Sequence, residues 1–367
     1  MNWKKTIRPV ILETEAFTYV HSGGGIIPRV DCSLGSCPFG SPQKVLEKWK
    51  TGFSSSPCDY LGDLSPAEEA IVEFWKGVVK REDLILGTGS IGILYNLAAF
   101  LGNEDFHVLG LAPQFPDAPL YFKYMGSDLK NVFLTPPNYR FEVEDLLSMI
   151  TENISMVYVD NPHNPTGQVI PLSRIRRVAD LCEENGILLI VDEAYGGFMD
   201  EEESSVNLDS ENVVSLRSFS KSWGMASLRG GYAVVRDPVL RDLYNKVCPP
   251  FPMSPDLVEL IPLALGEKDY LPSLRSRVES LKKETLEIIN SAPGFSVAET
   301  TMSVPIMMVT CEDPEVNLFD LLLQAGIKSE PGEGFESLGK NSIRLRIPSP
   351  EKLEEFRVCW KELTTRN

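Results

Sequence analysis

Histidine is scarce in this 367-residue sequence, and long hydrophobic runs are missing. The three histidines, His21, His107 and His163, stand far apart, so no H-E-x-x-H or related metal-ligand spacing exists. Cysteine is present at seven scattered positions with no C-x-x-C pair. An odd, unpaired set excludes a disulfide framework and a structural zinc site as expectations, and a reducing, cytoplasmic setting fits it. The longest apolar runs, such as ILLIV at 187–191, fall far short of the roughly 20 residues a membrane helix needs. The opening stretch MNWKKTIRPVILETEAF has two lysines but then acids in place of a sustained apolar core, so it does not read as a secretory signal. Positive charge is also in deficit. A formal net charge of -17 repels nucleic acid and anionic membrane surfaces, which leaves small molecules as the expected partners.

What is present is a globular composition, 43% apolar and 24% charged, in a chain long enough for a large core and a smaller second unit. Between about residues 82 and 235, seven short apolar runs alternate with helical patterns: DLILG, HVLGLAP, NVFLTPP, MVYVDNP, ILLIVDEAY, VVSLRSFS and GGYAVV. Amphipathic stretches lie between them, among them VEDLLSMI and LSRIRRVADLCEENG, the latter closing on glycine. The alternation predicts an α/β fold with a mostly parallel seven-stranded sheet, its ligand at the carboxyl ends of the strands. After PPFPMSP at 249–255 the pattern shifts to a long helix, then SVPIMMVTC, FDLLLQAG, IRLRI and a last helix. The expected organisation is an N-terminal arm with part of a small domain (1–44), a large domain (45–255) and a smaller α+β domain (256–367), completed by residues near the N-terminus.

Within LILGTGSIGI, residues 84–93, Gly87, Gly89 and Gly92 make a formal G-x-G-x-x-G between a strand-like run and a helical pattern. A dinucleotide site would need an acid closing the second strand, to hold the ribose hydroxyls. HVLGLAPQF ends without one. The nicotinamide reading is therefore weakened, and some other phosphate becomes the candidate for the glycine turn.

Four later segments, each closing a predicted strand, point to which one: NPHNPTG (161–167), DEAYGGF (192–198), SFSKSWGMASLRGGY (218–232), and PGEGF with IRLR (331–346). In order, spacing and content they resemble the class I/II aminotransferases of pyridoxal-phosphate fold type I, over about residues 30–350. The histidinol-phosphate aminotransferases are the nearest look-alikes. That resemblance implies a pyridoxal 5'-phosphate enzyme, most simply an aminotransferase that moves an amino group from an L-amino acid to a 2-oxo acid, working as a homodimer.

Residue by residue, the resemblance makes Lys221 the amine that holds the cofactor as a Schiff base and shuttles the proton. Asp192 becomes the carboxylate facing the cofactor's ring nitrogen, while Glu193 should point to the other side of its strand as a structural acid. Tyr195 and Asn164 correspond to donors to the phenolic oxygen. Arg229, Ser218 and Ser220 would hold the phosphate, together with the turn Gly89, Ser90 and Ile91 at a helix N-terminus. Phe115 matches the aromatic residue stacked on the ring. Tyr60 resembles a tyrosine reaching the phosphate from the second subunit, although its neighbouring motif is altered and about one residue short. Arg344 aligns with the arginine that takes the substrate α-carboxylate, with Arg346 on the same strand face as a fallback.

Two departures bear on substrate. Gly35, Ser36 and Cys37 stand where the histidinol-phosphate enzymes show Asn-Glu-Asn, and Glu330 stands where they and the threonine-phosphate decarboxylases carry an arginine. An anion in place of a phosphate-pairing cation implies that phosphorylated substrates are poor and that a neutral or basic amino acid is preferred. The alternative is that Glu330 faces solvent at a turn. A decarboxylase, lyase or oxidase on the same scaffold, or a non-catalytic binding protein, would preserve many of the same residues.

Overall fold

The computed structural model describes residues 7–13, 26–54, 58, 60 and 63–365; His21 and most of the N-terminal stretch lie outside these. After a short β1 (Val30–Asp31), the strands β2 (Leu84–Gly87), β3 (His107–Ala112), β4 (Asp128–Phe133), β5 (Met156–Asp160), β6 (Leu188–Glu193), β7 (Val213–Ser218) and β8 (Gly231–Val235) form one sheet. Its spatial order is β2-β8-β7-β6-β5-β3-β4. Only β8 opposes its neighbours; β3 to β7 pair in parallel. The fold is the α/β architecture with a mostly parallel seven-stranded sheet that the alternation predicts.

Strand alternation assigns the two faces. On β5, Val157 and Val159 pack with Leu189 and Val191 of β6 against helix Leu172–Glu184 through Ile175, Val178 and Cys182. Met156, Tyr158 and Ile190 point the other way, into a cluster with Ile93, Leu94 and Leu97 of helix Gly89–Leu101. Because both faces are covered, β5 is buried along its whole length, which is why it reads as a continuous apolar run. The period of two then carries Asp160 and Asp192 onto the Tyr158 and Ile190 face, at the carboxyl ends of their strands. Glu193 falls on the opposite face. There it is fully buried against Arg217 at 2.8 Å and accepts bonds from the Ser204 hydroxyl at 2.5 Å and the Ser205 amide at 2.6 Å. It is the structural acid that its position implies.

A second, antiparallel sheet is built from β9 (Phe295–Val297), β10 (Ile306–Cys311), β12 (Glu330–Pro331) and β13 (Ser342–Arg346) in the order β12-β13-β10-β9. Between β10 and β12, β11 (Ile327–Lys328) pairs in parallel with β1, so residues near the N-terminus do join this sheet region. Helix Tyr270–Asn290 lies alongside. Its Lys282, fully buried, donates to the Thr300 hydroxyl and to the carbonyls of Thr301, Val304 and Ile306 at 2.6–3.0 Å. Four acceptors replace the water lost by that ammonium. Among the described residues no helix is long and apolar enough to cross a membrane.

Candidate active site

The carboxyl ends of β5, β6 and β7 open into a cavity of about 350 Å³. A larger cleft of about 540 Å³, between Phe74, Trp75, Trp223 and Leu271, contains none of the residues singled out for chemistry. The smaller cavity is lined by Ser90, Ile91, Phe115, Asn164, Asp192, Tyr195, Ser218, Ser220, Lys221 and Arg229. Residues spread over 140 positions of sequence are thus brought to one wall-to-wall space by the parallel strands that end there.

At the glycine turn, Gly89 has φ +79°, a conformation that suits glycine, and opens the helix that follows. A Cβ on Gly89 would lie 3.0 Å from Nη2 of Arg229. Arg229 itself donates to the Ser220 hydroxyl at 3.2 Å and to the Ala226 carbonyl at 3.0 Å, and the Ser218 hydroxyl accepts the Ser220 amide at 3.1 Å. A guanidinium, serine hydroxyls and a helix N-terminus converge here, which is a donor set suited to a phosphate.

The acidic end is different. Asp192 is buried, accepts the Ala194 amide at 3.0 Å and the Tyr158 hydroxyl at 3.1 Å, and burial, then the charge of Asp160, pushes its carboxyl up to about 7. A cation opposite this carboxylate would reverse that shift. Asn164 is buried beside it, its amide N–H given to Asp160 and its side-chain oxygen 3.5 Å from Nη1 of Arg344. Lys221 Nζ lies 5.3 Å from the centre of the Tyr195 ring.

Arg344 lies behind this wall instead of lining it. It is fully buried, donates to the Ser33 carbonyl, and has Glu330, its cross-strand partner, at 3.8 Å. Glu330 is therefore not at a solvent-facing turn: only 2% of it is exposed, because β12 pairs with β13 and turns it inward. Arg346 is engaged elsewhere, donating to the carbonyls of Asp31 and Ile347. Tyr60 stands apart, 82% exposed and stacked on Phe251 at 4.4 Å.

Sequence reasoning passed over two carboxylates at the cavity, and it marked Gly35 as a departure without its approach to the site. Asp117 and Asp160 line it, and Gly35 abuts it: a Cβ there would fall 1.6 Å from the Tyr195 hydroxyl and 3.3 Å from Lys221 Nζ. The acids were legible as strand-end and helix-start carboxylates; the Gly35 approach was not. Gly35→Ala must displace Tyr195, and we expect cofactor affinity to fall by about tenfold or more, a loss of one well-placed contact of about 1.4 kcal/mol. Equilibrium binding followed by visible absorbance checks this; unchanged affinity would show that the segment can shift freely.

The sequence profile of the family described as Aminotransferase class I and II matches residues 42–358. The chain belongs to this family. It is accordingly a transaminase that depends on pyridoxal phosphate. Curated relatives include histidinol-phosphate aminotransferase 1 of Archaeoglobus fulgidus, 27% identical over 89% of this chain and 96% of that protein. The histidinol-phosphate aminotransferase of Methanococcus maripaludis is 28% identical over 92% of this chain and 91% of its own length. Among solved structures, the histidinol-phosphate aminotransferase of Sinorhizobium meliloti in complex with pyridoxal-5'-phosphate superposes with a TM-score of 0.83 at 20% identity, covering 98% of this chain and 97% of that one. At that identity it attests the shared fold.

Proposed function

We propose that this transaminase exchanges the amino group of an L-amino acid with a 2-oxo acid at the β5–β7 cavity, with Lys221 as the amine that bonds the cofactor. The observation that carries this reading is one cavity lined by Lys221, by buried Asp192 and by the Arg229 and Ser220 cluster. Its donor set and its volume suit a phosphorylated pyridine. When bound, pyridoxal phosphate supplies an aldehyde to join the substrate amine and a protonated ring that accepts the electron pair released at the α-carbon.

The chain's residues do the rest. Arg229, Ser218, Ser220 and the Gly89, Ser90 and Ile91 turn would anchor the phosphate, and Phe115 would pack on the ring. Asp192 holds the proton on the ring nitrogen, and Asn164 and Tyr195 set the acidity at the phenolic oxygen. Lys221, as a free amine, would carry the proton from the substrate's α-carbon. Arg344 takes the substrate carboxylate, in exchange for its present contacts with Glu330 and the Ser33 carbonyl. The division into an arm (1–44), a large domain (45–255) and a small domain (256–367) goes with this reading and is supported by the separate strand pairings of the two sheets. A cytoplasmic setting is supported by the odd number and scatter of the cysteines, and the absence of a nucleic-acid partner by the charge of -17. A coupled assay for oxo-acid formation, run across a panel of amino acids, tests the activity; turnover that releases carbon dioxide or ammonia without an acceptor would reassign the reaction.

For the substrate, buried Glu330 beside Arg344 supports a neutral or basic amino acid over a phosphate ester. Phosphate near Glu330 would place like charges together in a shielded site. We expect kcat/KM for histidinol phosphate to be at least about tenfold below that of the best neutral or basic amino acid. A strong preference for the ester overturns this, and an unchanged profile in Glu330→Arg shows that the residue does not read the substrate.

Homodimerisation is supported by the exposed Tyr60 and Phe251 stack, an aromatic surface suited to a second subunit, with Tyr60 the candidate to reach its phosphate. Sedimentation at assay concentration should give a dimer. A fully active monomer would refute it.

A further inference from the structure

Asp160 stands beside Asp192 as a register partner across β5 and β6, so both carboxylates leave the sheet on one face. Both line the cavity. Asp160 is 3% exposed, and its Oδ2 accepts the amide N–H groups of Asn164 at 2.8 Å and Phe115 at 3.3 Å. Its Oδ1 has no hydrogen-bond partner among the described residues. An asparagine could accept the same two amides without burying an ionisable group, so backbone positioning alone does not account for an acid here. A carboxyl retained at such a place, with one oxygen unsatisfied, can act through its charge.

We propose that Asp160 is a positioning and charge-setting residue for the cofactor: one oxygen fixes Asn164 and Phe115, and the carboxylate charge, next to Asp192, holds the proton on the group formed between the cofactor and Lys221. This rests on the cofactor reading above. Titratable and charged groups approach this space from each side. Asp192 comes from β6, and Tyr158, from Asp160's own strand, donates to it. Asp117, from helix Asp117–Tyr124, also lines the cavity. Lys221 and Arg229 enter from the segment after β7, and Arg344 reaches Asn164 from β13. His163, in the turn after β5, is tied to Thr166 and the Pro113 carbonyl and stays neutral, burial pushing it down to about 4. Burial pushes Asp160 up to about 7 and Asp117 up to about 6, so their charges change within the pH range where the enzyme would be studied.

A negative charge favours the protonated, cationic form of a neighbouring group and raises its pKa; neutralising the charge lowers it. The test is a spectrophotometric pH titration of substrate-free holoenzyme, with cofactor Kd measured in parallel, for the wild type, Asp160→Asn and Asp160→Ala. In Asp160→Asn, which keeps an acceptor oxygen, the pH midpoint of the visible band should fall by about one unit while Kd stays within about threefold. Asp160→Ala should lower the midpoint similarly and weaken binding by about tenfold, since the two amides lose their acceptor. A purely structural residue would move Kd and leave the midpoint alone. A midpoint in Asp160→Asn within about 0.2 unit of the wild type, a small fraction of the shift expected for a neighbouring charge, overturns the proposal. If the asparagine variant does not fold, Asp160→Ser, which retains a hydroxyl oxygen, is read by the same criterion. Wild-type protein with no visible band at all would overturn the cofactor reading itself, and this proposal with it.

Discussion

Lys221→Ala is expected to purify without the visible absorption band of the wild type and to lose transamination by about 10⁴-fold, the upper range for removing a positioned proton carrier. The cause is the absence of a substitute. Lys221 is the one lysine lining the cavity among the described residues. The fully buried lysine, Lys282, is held by four acceptors next to the second sheet, and burial holds it well below the usual lysine range. It has no route to the cavity without breaking those bonds. Lys221→Arg separates charge from chemistry: a guanidinium keeps the cation but cannot supply the nucleophilic amine at neutral pH. Both variants should therefore lose the band, while added methylamine should restore part of it to the alanine variant, where space is opened. An unchanged borohydride-reducible adduct in Lys221→Ala would assign the cofactor to another amine.

Several features of this site were legible in the sequence because they are strand-end features of a parallel sheet. VDEAY and SFSK follow short, β-branched apolar runs that read as buried strands, and the strand period separates Asp192 from Glu193. The edge strand β4 was less legible. It begins at Asp128, three residues before the apolar run NVFLTPP, since an edge strand with exposed positions tolerates the polar DLK that a central strand would not. Long-range approaches were not legible at all. That Gly35 leaves no room for a side chain beside Tyr195 and Lys221, and that Glu330 turns inward to Arg344, depend on how the second sheet and the segment after β1 sit against the first, which no local pattern encodes. Asp160 was visible as a letter closing MVYVD; its meaning needed the register with Asp192.

Asp192→Asn is expected to have opposite effects on activity and on the stability of the cofactor-free protein. Removing the carboxylate proposed to hold the ring-nitrogen proton should lower kcat by about 10²–10⁴-fold, as for loss of a group acting on proton chemistry. In the cofactor-free protein the same carboxylate is a burden. Its pKa is raised by burial and by Asp160, up to about 7, well above the unfolded value of about 3.9. The folded state thus binds more protons at this group than the unfolded state between those two values, so the group's contribution to stability is highest at low pH and falls as pH rises toward the folded pKa. Asparagine keeps the acceptor for the Ala194 amide and a polar partner for the Tyr158 hydroxyl without the charge. At pH 8 the cofactor-free variant should therefore melt about 2–4 °C above the cofactor-free wild type, and the difference should shrink as pH falls and vanish only below about pH 3, where the wild-type carboxyl is neutral in both states. Adding pyridoxal phosphate should reverse the order, because a ring cation opposite Asp192 stabilises the carboxylate in the wild type alone. Differential scanning calorimetry across pH, with and without cofactor, decides it: a wild type more stable than Asp192→Asn at pH 8 without cofactor would mean that the buried carboxylate is already compensated within the chain.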